Sequence, residues 1–469
     1  QKVAESLDMA VVPSAFQIRW AGLKGVVVVA AATGDREMEA ASKRLGKPCL
    51  LLYRPSMMKF QCNDYSLCVV SPAAHHKVFL NREIITILTS LQALAPGGQW
   101  DPGAALSARQ EEALWDAAQL FVDEDRAADE LHDHLHADWK PFVGMAQERL
   151  GLLTEPFWLS VLSKIFRLRV RDLLTKSRVP ISPEEGCLAL GIPDPVGLLQ
   201  EGEVFLTSEY QVPDRSAASG VRVVRIPVVG DVLVYRNPCL HPGDVQRLRA
   251  VKRAELSHLV NVLVLPVAGG TSVAACCSGG DLDGDLFSVI WAQDLVPPVA
   301  LMQPALDYDA LLRDAGEPVG PLKTEGRGFR EEDLVHFFCR VVVNDTLGKI
   351  AHTHLAFCDA SPRGALDPLA VELAKAASLA VDFPKTGVPP EVPKEPFQEV
   401  ERQGFPDFMQ KPRRQSYTSE KVLGALFRRA ASVDVDCEAA APFDVDAALL
   451  LPGRHDWSDD AAAACAHFR

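Results

Sequence analysis

Three aspartates spaced two apart stand directly before a mostly apolar run, and this arrangement constrains the fold more than any other part of the sequence. Asp281, Asp283 and Asp285, named here the acidic triad, precede residues 286–291. A short apolar run of this kind predicts a buried strand. Carboxylates crowded beside such a strand repel one another unless a cation neutralises them. The sequence therefore favours a metal site at the start of a core strand.

The spacing of the acidic triad predicts that its side chains converge. Successive side chains of an extended backbone point to opposite faces, so we expect the three carboxylates on one side and Leu282 in a core on the other. Gly284 allows a tight turn with positive φ and the close approach of a metal or a phosphate. Because carboxylate oxygens suit hard cations, the prediction is a site for one or two divalent ions.

Two other interpretations of this stretch are a calcium loop and a metal-free turn. An EF-hand loop that starts at Asp281 requires glycine at its sixth position and glutamate at its twelfth. Leu286 and Ala292 stand there instead, which excludes the EF-hand. A solvated acidic turn without a metal is the common meaning of so short a pattern. The apolar strand that follows argues against a free acidic loop here.

The chain is long enough for several compact units, because single cores stop growing at about 250–300 residues and this chain has 469. Short apolar runs between Gly and Pro turns predict strands over 10–75 and 178–300. Helical spacing predicts helices over 80–165, 331–358 and 366–380. No apolar stretch reaches the roughly 18 residues that span a bilayer, so no membrane association is expected.

The cysteines and the first residues predict an intracellular protein. Eleven cysteines without a C-x-x-C pair argue against a disulfide framework and favour a reducing compartment, nuclear or cytoplasmic. The chain opens Gln-Lys-Val-Ala-Glu-Ser, with neither an initiating methionine nor an apolar leader segment. That start predicts no signal peptide and suggests a fragment of a longer protein.

The formal net charge of −14 is unusual for a protein that binds nucleic acid, but the charges are unevenly distributed. Basic residues gather over 164–178 and again over 222–253, ahead of the acidic triad. Clusters of this kind can follow a phosphate backbone. A solvated charged face is an equally favoured interpretation.

Several short blocks of the chain resemble the conserved motifs of one enzyme family, in the family's usual order from about residue 10 to about residue 412. One block is the segment 278–285, named here the acidic loop, with the apolar strand that follows it. The other blocks are Pro13–Arg19 with Lys24–Val26, Arg54–Met57 with Lys59–Phe60, Leu80–Arg82, Asn237–Asp244, Asn344–Gly348, Ala380–Gly387 and Pro406–Met409. The sequence resembles the eukaryotic cellular RNA-dependent RNA polymerases, the enzymes of RNA silencing.

The resemblance implies an α+β fold with two double-psi β-barrels in one chain, joined by a helical connector and followed by a mostly helical C-terminal region. It divides the chain into five parts. These are a first barrel region (1–78), a helical connector (79–165), a second barrel with the catalytic loop (166–300), a helical neck-like region (301–412) and a poorly defined acidic, Ala-rich tail (413–469).

The resemblance also implies the reaction and the residues that perform it. RNA-directed RNA polymerases transfer nucleotides from nucleoside triphosphates by a two-metal mechanism. The acidic triad would bind two Mg²⁺ ions, with Mn²⁺ as a substitute, and act as the catalytic carboxylates. Lys24 and Lys59 would be catalytic lysines of the first barrel, although a lysine that extends over the surface is the plain alternative for each. The other expected cofactor-binding residues are Arg19, Arg236 and Gly284.

The expected partners are a single-stranded RNA template, or single-stranded DNA, together with nucleoside triphosphates and proteins of the silencing pathway that produces small interfering RNA. Two alternatives to this function stay open. One is a catalytically inactive, polymerase-like scaffold that binds RNA. The other is a DNA-templated RNA polymerase with the same two barrels.

Overall fold

The computed structural model describes most of the chain up to residue 433. The described residues are 2–7, 9, 11–30, 36–49, 51–149, 151–214, 216, 220–315, 330–343, 345–412 and 415–433. The chain divides into two compact units. The larger unit contains Gln1–Leu114 and Arg171–Ala431, and the smaller contains Trp115–Val170 and Ser432–Arg469.

Fifteen strands and fourteen α-helices lie in the described residues. The strands are β1 (Ala15–Trp20), β2 (Leu23–Val28), β3 (Cys68–Pro72), β4 (Phe79–Leu80), β5 (Val179–Pro180), β6 (Gly186–Pro193), β7 (Glu203–Val204), β8 (Thr207–Pro213), β9 (Val221–Pro227), β10 (Gly230–Tyr235), β11 (Gln246–Ala250), β12 (Val262–Leu265), β13 (Leu286–Ile290), β14 (Phe405–Pro406) and β15 (Ser416–Tyr417). The helices are α1 (Lys2–Ser6), α2 (Arg36–Leu45), α3 (Arg82–Gln92), α4 (Pro102–Ala118), α5 (Glu124–His134), α6 (Lys140–Arg149), α7 (Pro156–Lys176), α8 (Val273–Cys276), α9 (Tyr308–Asp314), α10 (Glu331–Val343), α11 (Leu347–Ala360), α12 (Pro368–Thr386), α13 (Glu395–Gln403) and α14 (Val422–Ala431).

Strands β1, β2 and β3 form a three-stranded antiparallel sheet with β1 in the centre. Ala21 and Gly22 connect β1 to β2, and both have positive φ, 49° and 83°. A two-residue connection with positive φ at both positions is a type I′ turn, whose twist matches that of the strands. The turn fixes the register that places Arg19 opposite Lys24.

Six strands of the larger unit form a nearly closed barrel in the order β12-β6-β13-β10-β11-β7. The two outer strands meet through Phe205, which follows β7, and Val264 of β12. The Phe205 N–H donates to the Val264 carbonyl at 3.1 Å, and the Val264 N–H donates to the Phe205 carbonyl at 2.9 Å. Strand β13, which follows the acidic loop, is hydrogen-bonded on both sides, to β6 and to β10.

Strand β10 of the barrel is buried on both faces from Val232 to Tyr235. Val232 and Val234 of β10 belong to the core inside the barrel, whereas Leu233 and Tyr235 belong to a second core shared with helices α3, α11 and α12. This alternation follows from the two-residue period of a strand. The barrel therefore supports helices on its outside while its interior packs against the acidic loop.

The smaller unit is helical in its described residues. Asp123 caps the start of helix α5, and its carboxylate accepts the Arg126 N–H at 3.1 Å. Leu131, Trp158 and Leu162 are buried in a core of its own. The helices predicted over 80–165 are confirmed, as are those predicted over 331–358 and 366–380.

An α+β architecture with a nearly closed barrel over 186–290 agrees in part with the sequence prediction. The described part of 1–78 contains the three-stranded sheet, and a second barrel stays a prediction. Of the predicted tail, residues 415–433 are described and contain β15 and helix α14; residues 434–469, with the predicted acidic cluster, lie outside the described chain, as do Asn344 and residues 413 and 414. Among the described helices, none combines the length and apolarity that a membrane crossing requires.

Candidate active site

The acidic loop connects helix α8 to strand β13 by two turns instead of an extended segment. Leu282 has a φ of 58° and Gly284 a φ of 135°, so side chains of the loop do not simply alternate between two faces. The expected extended backbone is therefore wrong, because positive φ at these two positions bends the chain. Leu282 nevertheless packs into the barrel core, as predicted, with 8% of its surface exposed.

The side chains of the acidic triad meet at one point. One carboxylate oxygen from each aspartate lies within 4.8 Å of the other two. Opposite oxygens around an octahedral Mg²⁺ ion are separated by about 4.2 Å, so small rotations of the side chains would suffice to bind one. All three donors are hard carboxylate oxygens, the type that Mg²⁺ and Mn²⁺ prefer. The residues present therefore fit a divalent ion.

A lysine from the three-stranded sheet contacts the acidic triad. Nζ of Lys24, on strand β2, lies 2.5 Å from Oδ2 of Asp283. Gln17 on the neighbouring strand β1 donates from Nε2 to the backbone carbonyl of Asp283 at 3.4 Å. Two strands that are distant in the sequence thus contact the same residue of the acidic loop.

Position 284 has room only for glycine, because its backbone lies very close to the Gln17 side chain. A Cβ atom at Gly284 would lie 1.6 Å from Nε2 of Gln17, far inside contact distance. The Gln17 amide is held from its other end by the Ser71 hydroxyl, which donates to Oε1 at 3.3 Å. The close approach of a metal or a phosphate to Gly284 stays a prediction, and the space that a Cβ would need there is occupied by Gln17.

Arg236 fixes the last carboxylate of the acidic triad. Its Nε lies 2.9 Å from Oδ1 of Asp285, and its NH1 donates to the Ser278 carbonyl at 2.9 Å. The other oxygen of Asp285 accepts the backbone N–H of Asp281 at 2.9 Å. One guanidinium therefore joins the two ends of the acidic loop.

Arg19 and Lys59 do not contact the acidic triad in the described chain. Arg19 lies opposite Lys24 in the sheet, and its guanidinium donates to the carbonyl of Ile18 at 2.9 Å. Lys59 is exposed, and its backbone N–H donates to the Gly22 carbonyl at 3.0 Å, which holds it beside the start of β2. The structure thus brings together the triad, Lys24, Arg236 and Gly284, and leaves these two cations nearby in the same sheet region.

A buried group beneath the acidic loop has no counterpart among the site residues predicted from sequence. Asp244 is 2% exposed and accepts hydrogen bonds from the hydroxyls of Tyr308 and, at 3.0 Å, Ser278. Burial raises the pKa of the Asp244 carboxyl to about 6, although these hydrogen bonds oppose the increase. Asp244 ends one of the conserved-looking blocks, but no sequence pattern points to Tyr308.

Many residues of the two basic clusters are paired with acidic side chains of the same chain. Arg169 pairs with Glu130, and Lys176 and Arg178 pair with Asp172. Three arginines of the second cluster also form ion pairs: Arg225 with Glu209, Arg247 with Asp231 and Arg253 with Glu203. Pairing of this kind reduces the positive charge that each cluster offers to a phosphate backbone.

Comparison with known proteins identifies the family. A family model described as RNA dependent RNA polymerase matches residues 1–430. The chain belongs to the RNA-dependent RNA polymerase family. The resemblance seen in the short motifs is thereby confirmed, and the acidic loop with its contacts lies inside the matched region.

Curated relatives of this polymerase family match nearly the whole chain. The probable RNA-dependent RNA polymerase SHL2 of Oryza sativa subsp. japonica is 34% identical over 459 residues, which are 95% of this chain and 35% of that protein. RNA-dependent RNA polymerase 6 of Arabidopsis thaliana is 34% identical over 464 residues, 96% of this chain and 36% of that protein. The chain therefore spans about a third of the length of these relatives.

A solved structure supports the fold. The RNA dependent RNA polymerase QDE-1 from Thielavia terrestris aligns with a TM-score of 0.60 at 18% sequence identity, over 98% of this chain and 54% of that chain. At this identity the likeness concerns the arrangement of the backbone alone. The polymerase fold is thus shared across the aligned part of both chains.

Proposed function

We propose that this protein is an RNA-dependent RNA polymerase that joins nucleoside triphosphates along a single-stranded RNA template. The observation that carries the proposal is the meeting of the acidic triad, whose oxygens lie within 4.8 Å of one another, with the Lys24 amine of a separate sheet, 2.5 Å from Asp283. Membership of the family supports it. In nucleotidyl transfer a 3′-hydroxyl oxygen attacks the α-phosphate of the nucleoside triphosphate, and pyrophosphate leaves. A carboxylate cluster that can bind metal beside a cation suits this reaction, because negative charge increases on the reacting oxygens.

The acidic triad would bind two Mg²⁺ ions, or Mn²⁺ in their place. When bound, two such ions stabilise the charge on the attacking and leaving oxygens of an in-line displacement. The chain's part is to hold the carboxylates in position: Arg236 directs Asp285, and Lys24 directs Asp283. Gly284 leaves room for Gln17, which holds the loop backbone.

The basic side chains of the three-stranded sheet would bind the triphosphate. Lys24 is close enough to the acidic triad to place its ammonium against phosphate oxygens bound there. Lys59 is exposed beside the start of β2, and Arg19 pairs with Lys24 in the sheet, so both would reach the outer phosphates. Charge-assisted hydrogen bonds to phosphate are about twice as strong as neutral ones.

The proposal includes the wider architecture and the cellular role. The nearly closed barrel would be a double-psi β-barrel within 166–300, and the three-stranded sheet would belong to a second one within 1–78. The segment 79–165 would connect the two barrels, and 301–412 would form the helical neck. The product would be complementary RNA for RNA silencing, made inside the cell with silencing proteins as partners.

A nucleotide-incorporation assay tests the proposed reaction. The purified protein is incubated with labelled nucleoside triphosphates, Mg²⁺ and either single-stranded RNA or single-stranded DNA. We expect labelled product on RNA, and loss of product in Asp283→Ala with retained RNA binding. Asp231→Ala is the matched control, because Asp231 also forms an ion pair, with Arg247 of the barrel, but lies outside the acidic triad.

Each result of the assay separates the candidate functions. Product on DNA and none on RNA would favour the DNA-templated enzyme. RNA binding without product from wild type would favour the inactive scaffold. Equal product from wild type and Asp283→Ala would contradict the assignment of the acidic triad.

A further inference from the structure

The acidic loop is hydrogen-bonded to a short turn formed by residues 242–244. Gly243 of this turn has no room for a side chain, because a Cβ atom there would lie 1.9 Å from the Pro304 carbonyl oxygen. The segment that leads to helix α9 therefore packs directly on the turn. This contact brings Tyr308, the first residue of α9, against the next residue of the turn, Asp244.

The carboxylate of Asp244 is buried among groups that all donate to it. Tyr308 donates its hydroxyl proton to Oδ1. Oδ2 lies 3.0 Å from the Ser278 hydroxyl and accepts the His241 backbone N–H at 3.3 Å. Burial raises the pKa of Tyr308 well above its ordinary value, and the neighbouring Asp244 carboxylate adds to the increase, so the phenol stays a donor.

These contacts continue to the metal-binding carboxylates through the first residues of the acidic loop. Ser278 has a φ of 52°, and its hydroxyl also lies 3.2 Å from the Arg236 carbonyl oxygen. The carbonyl of Ser278 accepts from Arg236 at 2.9 Å, and the same guanidinium holds Asp285. A continuous series of hydrogen bonds thus runs from Asp244 to the acidic triad.

The aromatic ring of Tyr308 also packs against the acidic loop. A Cβ atom at Gly279 would lie 3.3 Å from Cγ of Tyr308, so the ring packs against the backbone of the loop beside Ser278. Tyr308 therefore supports the loop in two ways. Its hydroxyl donates to Asp244, which contacts the loop through Ser278, and its ring packs on Gly279.

We propose that Asp244 and Tyr308 are positioning residues that set the geometry of the acidic triad, and through it the affinity for the divalent ion. The inference rests on the proposed function, since it assigns the triad as the metal site. Substitution of residues that orient metal ligands without touching the metal typically lowers metal affinity or activity about 10–100-fold. Neither residue touches the metal-binding oxygens.

A second tyrosine–aspartate pair in the same compact unit provides a matched control. Tyr417 donates to Oδ2 of Asp359 at 2.8 Å, and Asp359 also accepts from Ser419 at 2.8 Å. Burial raises the pKa of the Asp359 carboxyl, as it does for Asp244. The Tyr417–Asp359 pair makes no contact with the acidic loop, so its loss affects stability alone.

The test compares Mn²⁺ binding by electron paramagnetic resonance in wild type, Tyr308→Phe, Ser278→Gly and Tyr417→Phe. Ser278→Gly removes the hydroxyl and keeps a residue that tolerates positive φ. We expect Tyr308→Phe and Ser278→Gly to weaken Mn²⁺ binding about tenfold, and Tyr417→Phe to bind as wild type does. Unfolding in denaturant should show similar losses of stability for the two tyrosine variants.

In elongation assays the KM for the metal should increase in Tyr308→Phe while the KM for the nucleoside triphosphate stays constant. Wild-type Mn²⁺ affinity in both Tyr308→Phe and Ser278→Gly, with loss of binding in Asp283→Ala, would overturn the inference and leave the proposed function intact. Equal weakening in Tyr417→Phe would also overturn it. Absence of Mn²⁺ binding by wild type would overturn both.

Discussion

Nζ of Lys24 lies 2.5 Å from Oδ2 of Asp283, and this ion pair joins the three-stranded sheet to the acidic loop. The lysine side chain is 35% exposed and the aspartate side chain 17%, so water reaches the amine from one side only. Gln17 reinforces the junction by donating to the Asp283 carbonyl from a position 266 residues away in the sequence. These two contacts couple the position of the sheet to that of Asp283 in the acidic triad.

Lys24→Met should reduce the rate of elongation about 10²-fold, the usual effect of removing one charged group aimed at a transition state. The methionine keeps the aliphatic part of the side chain and removes the ammonium next to Asp283. Single-turnover incorporation of one nucleotide measures the rate. A rate within a factor of two of wild type would contradict the role of Lys24.

Lys59→Met separates triphosphate binding from support of the acidic loop. Lys59 is exposed and has no ion pair in the described chain, so its removal should leave the free energy of unfolding unchanged. We expect a higher KM for the nucleoside triphosphate and unaltered Mn²⁺ affinity. An unchanged KM would remove Lys59 from the proposed site.

Gly284→Ala should destabilise the acidic loop for two reasons. A φ of 135° is strained for alanine, at about 1–3 kcal/mol, and its Cβ would overlap Nε2 of Gln17. In the double variant, Gln17→Ala should restore the stability that is lost to the overlap. The stability that is lost to the strained backbone should not be restored. The free energies of unfolding of wild type, the two single variants and the double variant are measured in denaturant. We expect a coupling energy of about 0.5–3 kcal/mol between the two substitutions. Strictly additive effects would rule out the overlap.

Arg236→Lys should lower activity about 10–100-fold, because an ammonium cannot reproduce the fork that joins Asp285 to the Ser278 carbonyl. Arg247→Lys is a close control. Arg247 also bridges a carboxylate, Asp231 at 2.5 Å, and a carbonyl, Pro297 at 2.6 Å, and both arginine side chains are 23% exposed. Equal losses of activity in the two variants would show a general effect on the barrel.

His354 should make the protein sensitive to acid. Burial lowers the pKa of His354 from 6.5 to about 4 in the folded chain, where its ring lies 3.5 Å from Sγ of Cys358. Between these two pH values the unfolded chain binds a proton that the folded chain excludes, so stability decreases as the pH falls. At pH 5 the loss is about 2 kcal/mol.

His354→Asn should remove this contribution. The difference in free energy of unfolding between pH 7 and pH 5, measured in urea, is expected to be about 2 kcal/mol smaller in the variant than in wild type. The same pH dependence in both proteins would contradict this role of His354.

The sequence predicted the residues of the acidic loop better than its shape. Convergence of the carboxylates, burial of Leu282 and positive φ at Gly284 follow from local properties: spacing, apolarity and the missing Cβ. The φ of 58° at Leu282 does not, since a leucine rarely adopts it and the surrounding barrel imposes it. Side-chain alternation therefore failed at the position where tertiary packing determines the backbone.

Contacts between distant segments were harder to predict. The motif that contains Asp244 was recognised, but its partner Tyr308 lies in no motif, and only the packing of Gly243 on Pro304 brings the two together. Arg236 was expected to bind the cofactor, and it contacts Asp285 and Ser278 within the chain. Periodicity carries no information on such pairs, because they depend on how whole strands are arranged.

The bridge between Phe205 and Val264 joins the two outer strands of the nearly closed barrel, so strands in its middle should resist fraying. Strand β13 keeps hydrogen-bonded neighbours on both sides, and its amides should exchange with deuterium only when the entire barrel melts. Local opening near the acidic triad should thus be confined to the few residues ahead of that strand. In the proposed polymerase, these residues would adjust to each incoming nucleotide while the barrel strand behind them stays fixed.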